Sequence, residues 1–449
     1  MVINRIRPAH RRGAAALGAA GLVATALLGG NVASSLVPAA PEPAAAVNST
    51  ALPLLPSPEA GRPKTLTPPV NLVDQAVPGT VPPDALRGSP ERRLIAVYRL
   101  LASGRYEPAL QAAEALVRAY PNFRLAQLVQ ADLMVARFEP LQDFGAGARQ
   151  GADTGERGEL TTLRDEARLR LKALIQRPPE GAVPAEFLSL PPSVPFAIAV
   201  DTSAARLYLF ENSPAGLRLV DDVYVSVGKQ GVDKSVEGDQ RTPLGVYFTT
   251  DRLDPRSLQE RFGSGALPLN YPNAYDKLKG RTGSGILLHG VTASTYSRPP
   301  LDSDGCVAMA NEDLTRLASR LPQRDTPVVI TRQIRWVEPA KRATPEGFQQ
   351  TFAQWQQARL RADLAQMREL YEQSGPQDGG AEQRFRAKVA SAPEGFGEVS
   401  VLTWHDDEGK LVVTFKEVGS GPKGRDRLMR QYWRETRSGW RIVAEGPVR

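Results

Sequence analysis

The sequence predicts a multidomain chain in which an α-helical hairpin region is followed by a mainly-β sandwich and then by an α+β domain. Apolar residues recur at helical spacing over 90–138 and again over 159–176. After Pro195 the pattern changes to short apolar runs of β type, separated by turn residues. In the last hundred residues an amphipathic helix precedes strand-like runs. We expect the three regions to cover residues 89–180, 190–335 and 343–449.

The N-terminus has the composition of an export signal. A basic flank precedes an uncharged run rich in Ala, Leu and Gly, from Gly13 to Ala33, and small residues and prolines follow. We expect residues 1–40 to be a signal peptide or an inner-membrane anchor, with a buried core helix as the alternative. Cleavage stays open, because the run approaches the ~20 residues that span a bilayer. Residues 41–88 are Pro/Ala-rich and predict a linker, and we expect the protein in the periplasm or cell envelope.

The charge of the chain narrows the classes of partner. A net charge of +7 suits an acidic polymer or a membrane surface. The arginines are scattered, without a basic patch interleaved with aromatic residues, so we expect no nucleic-acid partner.

The helical region contains three runs, separated by Gly104 and by a turn at Pro121. It resembles a tetratricopeptide-type hairpin, in which Gly104, Tyr106 and Pro121 stand near their usual places. Only about one repeat is recognisable, and one repeat cannot bury its own apolar face. Two interpretations stay open: a small helical cap packed on the next domain, or a groove for an envelope protein partner.

The chain has one cysteine, Cys306, and one of its three histidines, His289, lies seventeen positions before it. A lone cysteine in an exported protein is a buried thiol, a link to another chain or a nucleophile. The polar, turn-like residues before Cys306 favour the nucleophile, and one Cys with one His offers too few ligands for a zinc site. Pairing with a protonated histidine lowers a thiol pKa and keeps the thiolate populated. We therefore expect a thiolate–imidazolium pair.

Three ordered motifs carry a family resemblance. The stretches "VSVGKQGVDKSVEGDQRTPLGVYFTT", "GILLHG" and "SDGCVAM" resemble the YkuD-type L,D-transpeptidase catalytic domain over roughly 197–332. The resemblance implies that Cys306 is the nucleophile, that His289 is its general base, and that the carbonyl of Gly290 orients the imidazole. It also implies an oxyanion hole made by the N–H groups of Gly305 and Cys306. No metal or organic cofactor is required.

The resemblance implies a reaction on peptidoglycan stem peptides. The thiolate attacks the meso-diaminopimelate carbonyl of a tetrapeptide stem, D-Ala leaves, and the thioester passes to an amine acceptor. We predict substrate contacts from Ser303, Asp304 and Arg241. Asp304 stands where the family usually has a second histidine, and Ala308 where an arginine often stands. Two alternatives stay open: an L,D-carboxypeptidase or amidase with the same thioester chemistry, and a noncatalytic peptidoglycan-binding scaffold.

The last region begins with a predicted helix over Thr344–Gln373, followed by strands over 397–419, 427–439 and 440–448. A helix followed by a curved antiparallel sheet resembles the cone-shaped nuclear-transport-factor-like accessory fold. We find no cluster of acids or histidines there that requires catalysis, and we expect His405 to be a surface residue in a hairpin-like turn.

Overall fold

The computed structural model describes residues 87–138, 144–145, 154–253, 255–372, 379–406, 409–419 and 425–448. The predicted signal or anchor segment and all but the last two residues of the predicted linker lie outside the described residues. In the described part of the chain, no helix has the length and apolar character needed to cross a membrane.

The helices are α1 (Pro90–Ala102), α2 (Tyr106–Ala119), α3 (Arg124–Val135), α4 (Thr154–Ile175), α5 (Ala274–Leu278), α6 (Asn311–Arg320), α7 (Phe348–Leu360), α8 (Leu364–Leu370) and α9 (Gly379–Ala390). The first strands are β1 (Val183–Pro184), β2 (Phe187–Ser189), β3 (Phe196–Asp201), β4 (Arg206–Ser213), β5 (Gly216–Tyr224), β6 (Val227–Gly228), β7 (Gly245–Phe248) and β8 (Ala266–Pro268). The remaining strands are β9 (Leu287–His289), β10 (Leu301–Ser303), β11 (Val307–Ala308), β12 (Pro327–Thr331), β13 (Trp336–Val337), β14 (Gly395–Thr403), β15 (Lys410–Val418), β16 (Arg427–Thr436) and β17 (Gly439–Pro447).

Helices α1–α4 form the predicted helical region and pack directly on the β domain. Ser89 caps α1 by accepting a hydrogen bond from the N–H of Arg92, and Pro90 occupies the first turn, where its missing N–H costs nothing. The apolar faces of the helices share one core with Tyr296 and Ala310 of the β domain. The helical region therefore buries part of its apolar surface against its neighbour.

The central sheet of the β domain has the strand order β5-β4-β3-β12-β7. Strands β3–β5 form the predicted antiparallel meander, but β12 lies parallel to β3, so the sheet is mixed. Side chains alternate between two buried faces: Ile198 and Val200 join one core, while Ala197 and Ala199 join another. Burial on both faces explains why the run "FAIAV" is continuously apolar.

The C-terminal sheet has the order β17-β16-β15-β14-β2. Its edge strand β2 comes from the chain before the β domain and pairs with β14. One face of this sheet packs on the central sheet, and the other packs on α7–α9. The single helix predicted over Thr344–Gln373 is wrong: the chain breaks at Ala362, where φ is +53°, and the Asp363 side chain caps α8.

Candidate active site

A three-stranded sheet, β8-β9-β11, carries His289 at the end of β9, and Cys306 immediately precedes β11. Strands β9 and β11 are parallel, with Leu288 opposite Val307 and His289 opposite Ala308. Leu288 and Val307 point into the core of the β domain. Because side chains alternate along a strand and paired positions share a face, His289 and Ala308 share the opposite face. Cys306 lies two residues before Ala308.

His289 is held in one orientation by its neighbours. Its ring is 3% exposed, and Nδ1 lies 2.5 Å from the carbonyl oxygen of Gly290. A carbonyl can only accept, so Nδ1 carries the proton and Nε2 keeps a lone pair. The ring of Phe262 packs edge-on at 5.1 Å. The pKa of His289 is lowered to about 4, mainly by burial and in smaller part by the charges of Arg298 and Arg261. The hydrogen bond to Gly290 acts in the opposite direction.

Cys306 is half-buried, and its Sγ donates to the carbonyl of Gly285 at 3.4 Å. Burial raises the pKa of the Cys306 thiol, opposed by the N–H of Leu287 and by Arg261. The raised thiol pKa and the lowered imidazole pKa each favour the neutral form of the group, because both groups are desolvated. The thiolate–imidazolium pair stays a prediction.

Asn311 joins the loops around His289 through its side-chain amide. The N-cap of α6 is Ala310, and the Asn311 side chain instead joins two loops. Its Oδ1 accepts from the N–H groups of Ser264 and Val291 at 2.8 and 3.1 Å, and its Nδ2 donates to Val291. A Cβ at Gly290 would lie 2.1 Å from that Oδ1, so a larger residue would push the two loops apart.

The turn before Cys306 is closed by Ser303. Its hydroxyl donates to the carbonyl of Cys306 at 2.6 Å and accepts from the N–H of Gly305 at 3.1 Å. Gly305 has φ of +122°, and a Cβ there would lie 2.7 Å from the carbonyl oxygen of Arg241. Ser303 is buried, and both hydrogen bonds of its hydroxyl stay within the turn. The N–H of Gly305 is one of the two partners.

The predicted substrate-contact residues Asp304 and Arg241 differ in placement. Asp304 is exposed and lies 3.3 Å from Lys229 Nζ and 3.9 Å from an Arg261 nitrogen. Arg241 turns its guanidinium away to the carbonyl of Val232, at 3.0 Å. The backbone carbonyl of Arg241 lies next to Gly305, in the turn that carries Cys306.

Two arginines that sequence reasoning missed supply positive charge to the site. Arg261 and Arg298 both act on His289 and on Cys306. Arg298 is held by its own backbone carbonyl, which accepts from the hydroxyl of Tyr224 at 3.0 Å, and by a bond from its guanidinium to the carbonyl of Asp302. Neither arginine belongs to a family motif, so only the fold reveals them.

The described residues contain no group of three or more His, Cys, Asp or Glu side chains arranged to hold a metal ion. The groups around Cys306 are its own thiol, the His289 imidazole, backbone N–H groups and the guanidinium groups of Arg261 and Arg298, which act electrostatically on Cys306 and His289. This set is suited to nucleophilic attack on an amide carbonyl.

Comparison with known proteins identifies a family for the β domain. Residues 195–330 match the L,D-transpeptidase catalytic domain family (YkuD), whereas no curated protein matches the chain. The chain thus has helices, then a β-rich YkuD-type domain, and then a further β-containing region.

Several solved structures are similar to the chain. Bd1075 of Bdellovibrio bacteriovorus is 22% identical, with 60% of this chain and 98% of that chain covered and a TM-score of 0.47. The helical cell shape determining protein Pgp2 of Campylobacter jejuni is 19% identical, with 56% and 91% covered and a TM-score of 0.47. An L,D-transpeptidase from Mycobacterium smegmatis is 13% identical, with 30% and 58% covered and a TM-score of 0.20.

Proposed function

We propose that the β domain is a peptidoglycan L,D-transpeptidase of the cell envelope that uses Cys306 as its nucleophile. The observation that carries this proposal is the contact of His289 Nδ1 with the Gly290 carbonyl. It leaves Nε2 as a proton acceptor, on a strand whose parallel partner begins directly after Cys306. A neutral imidazole with a fixed tautomer is the form that a general base requires.

The reaction proceeds in two acyl transfers. As Sγ of Cys306 attacks the meso-diaminopimelate carbonyl of a tetrapeptide stem, Nε2 of His289 takes the thiol proton. The C–N bond to D-Ala then breaks, and the imidazolium returns that proton to the leaving amine. An acceptor amine attacks the thioester, gives up a proton through His289, and regenerates the thiol. The N–H groups of Gly305 and Cys306 are the proposed oxyanion donors, which requires the Gly305 N–H to leave Ser303 during the reaction.

Arg261 and Arg298 are proposed to bind a carboxylate of the stem peptide. They supply the positive charge that Ala308 does not, and guanidinium groups match carboxylates in geometry. Both reach the reacting pair electrostatically. Asp304, which contacts Lys229 and Arg261, is proposed to aim these side chains, with Ser303 holding the turn below them.

The test is acylation of Cys306. Purified protein is incubated with a carbapenem and with tetrapeptide muropeptides, and intact-protein mass spectrometry follows the adduct. Cys306→Ala should abolish the adduct, and His289→Ala should slow its formation by about 10²-fold or more. His405→Ala is the matched histidine control and should acylate at the wild-type rate. A wild-type protein that forms no adduct would favour the noncatalytic scaffold.

The products identify the acyl acceptor. Cross-linked muropeptide dimers indicate transfer to an amine, which we propose. Shortened tripeptide monomers alone would indicate transfer to water and therefore the carboxypeptidase alternative. Cys306→Ala must remove either product, which separates this activity from a contaminating peptidase.

The acid limb of the pH profile tests the state of the imidazole. Because burial lowers the pKa of His289 to about 4, we expect kcat/KM to stay high at pH 5 and to fall only near pH 4. Below that pH His289 is protonated and can no longer accept the thiol proton. An acid limb near pH 6.5 would instead mean that the ring is solvated.

The flanking regions are proposed to be accessory. The shared core of helices α1–α3 with Tyr296 and Ala310 favours a helical cap over a tetratricopeptide groove for an envelope partner. The C-terminal helices and sheet are proposed to form the nuclear-transport-factor-like domain. Export by residues 1–40 agrees with a wall substrate.

A further inference from the structure

A deep cleft lies between the helical region and the β domain, with walls formed by α1, the end of α4, β5 and α6. Its volume is about 740 Å³, which suits a small ligand. Seven arginines and four carboxylates line it. We call it the arginine cleft.

The carboxylates of the arginine cleft are already neutralised. Their partners are as follows: Glu91 with Arg170 and Arg206, Asp222 with Arg206, and Asp221 and Asp313 with Arg316. The contact distances are 2.6–2.8 Å. These pairs use three of the arginines.

Four arginines remain without a carboxylate partner among the described residues: Arg92, Arg99, Arg177 and Arg320. Burial lowers the pKa of Arg99, and the nearby guanidinium of Arg177 lowers it further. At the base of the cleft, Arg206 is 4% exposed, and its Nε has no hydrogen-bond partner in the described part of the chain. Arg92, Arg177 and Arg320 are exposed and Arg99 is half-buried, so four like charges that line one cavity favour an anionic ligand there.

We propose that the arginine cleft binds a multiply charged anion of the phosphate class, either a free phosphate compound or the headgroup of an anionic phospholipid. Guanidinium groups bind phosphate oxygens through paired, charge-assisted hydrogen bonds. A phosphate group concentrates up to two negative charges in a volume that the cleft can enclose. The site is separate from Cys306 and does not depend on the proposed acyl transfer.

The test is calorimetric titration of the full chain with sodium pyrophosphate. Arg99→Ala/Arg177→Ala removes two unpaired charges without touching the buried pairs. Arg425→Ala/Arg437→Ala removes two exposed arginines from the C-terminal region and is the matched control. We expect saturable wild-type binding, an affinity at least about tenfold weaker in the cleft variant, and a change below about twofold in the control. Cys306→Ala should bind like the wild type, so a failure of catalysis leaves this result readable.

Co-sedimentation with phosphatidylglycerol and phosphatidylcholine vesicles separates the two sources. If phosphatidylglycerol vesicles capture the wild type and the control but not the cleft variant, the ligand is a lipid headgroup. If the protein binds pyrophosphate but not the vesicles, the ligand is a free phosphate compound. The proposal is overturned if the wild type binds neither probe, or if the cleft variant and the control lose binding equally.

Discussion

The β domain meets its two neighbours through interfaces of opposite character. Towards the helical region, buried charges dominate: Arg170 bonds Glu166 and Glu91 and lies 3.9 Å over the ring of Tyr224. Towards the C-terminal region, the outer face of the central sheet packs apolar and aromatic side chains against β14–β16. Tyr275 there contacts Trp404 at 5.6 Å between ring centroids.

The two interfaces also differ in what they touch. The turn between α2 and α3 holds the loop that follows His289, because Tyr296 packs 4.4 Å from Phe123 and the Asn122 side chain donates to Ala293. The hydroxyl of Ser297 donates to Glu166 at 2.7 Å, and Arg298 comes next. The C-terminal interface covers the other face of the central sheet. Perturbing the helical side should therefore change catalysis as well as stability, and perturbing the C-terminal side should change stability alone.

The largest contrast is expected from a pair of buried tyrosines. Tyr296→Ala and Tyr275→Ala each remove a ring that is 3% exposed, so each should lower the free energy of unfolding by about 3–5 kcal/mol. Only Tyr296→Ala should also slow carbapenem acylation, by about tenfold or more, because the loop after His289 loses its anchor.

Denaturant unfolding and the acylation rate measure the two effects. Tyr296→Phe keeps the ring and should restore both values, since the Tyr296 hydroxyl has no hydrogen-bond partner among the described residues. Equal acylation rates in the two alanine variants would remove the distinction between the interfaces.

The order of helical region, β domain and final sheet could be predicted because it depends on local periodicity, whereas the parallel placement of β12 could not. Helices α1–α4 and strands β3–β5 each bury an apolar face, which leaves a pattern in the sequence. The break between α7 and α8 at Ala362 could not be predicted, because the helical spacing of apolar residues continues across it. The break becomes visible only in the packing of α8.

The site was accessible from sequence only where a motif is contiguous. Cys306, His289 and Gly290 lie in short motifs next to strands, and the parallel pairing of β9 with β11 links the two motifs. Arg298 and Asn311 escaped detection because their roles depend on contacts with distant loops. The preference of the thiol and the imidazole for their neutral forms could not be predicted either, because packing determines how far each group is desolvated.

A second pair of variants compares buried charges in the two regions. Glu166→Gln weakens the ion network beside the active-site loop, and Glu417→Gln weakens the buried Arg359–Glu417 pair in the C-terminal region. Each should cost about 2–3 kcal/mol of unfolding free energy, because a charged hydrogen bond is lost in a buried site. Acylation should fall about threefold in Glu166→Gln alone. A similar fall in Glu417→Gln would show long-range coupling through the central sheet.

The C-terminal interface should respond to pH through Glu186. Burial raises the pKa of Glu186 to about 7, opposed by backbone hydrogen bonds and by Arg335. The folded state therefore holds a proton that the unfolded state releases near pH 4.5, so stability present below pH 4.5 is lost as pH rises to about 7. Glu186→Gln removes this loss and should raise Tm at pH 8 by about 2–4 °C, with little change at pH 4.5.

The neighbouring histidine, His405, makes stability depend on pH in the opposite direction. His405 Nε2 lies 3.2 Å from Glu186, and burial lowers the pKa of His405 to about 4, so its contribution is lost as pH falls from 6.5 to 4. At pH 8 His405 is neutral in the folded and the unfolded state of both proteins, so the Tm difference at that pH reports Glu186. Thermal melts from pH 4.5 to 8 measure that difference, and parallel curves would contradict an ionised, buried Glu186. Acylation at pH 8 should not change.

The smallest effect comes from two hydroxyl groups in matched positions. Ser297 donates to Glu166 at 2.7 Å on the helical side, and Thr331 donates to Asp406 at 2.6 Å on the C-terminal side. Ser297→Ala and Thr331→Val should each cost about 1–2 kcal/mol of unfolding free energy, since each removes one hydrogen bond to a carboxylate. Residue 297 directly precedes Arg298, so only Ser297→Ala loosens the loop that carries Arg298. Only this variant should therefore raise KM for a muropeptide, by about twofold, with kcat nearly unchanged. A rise in KM in both variants would place the cause in global stability instead of in the loop that carries Arg298.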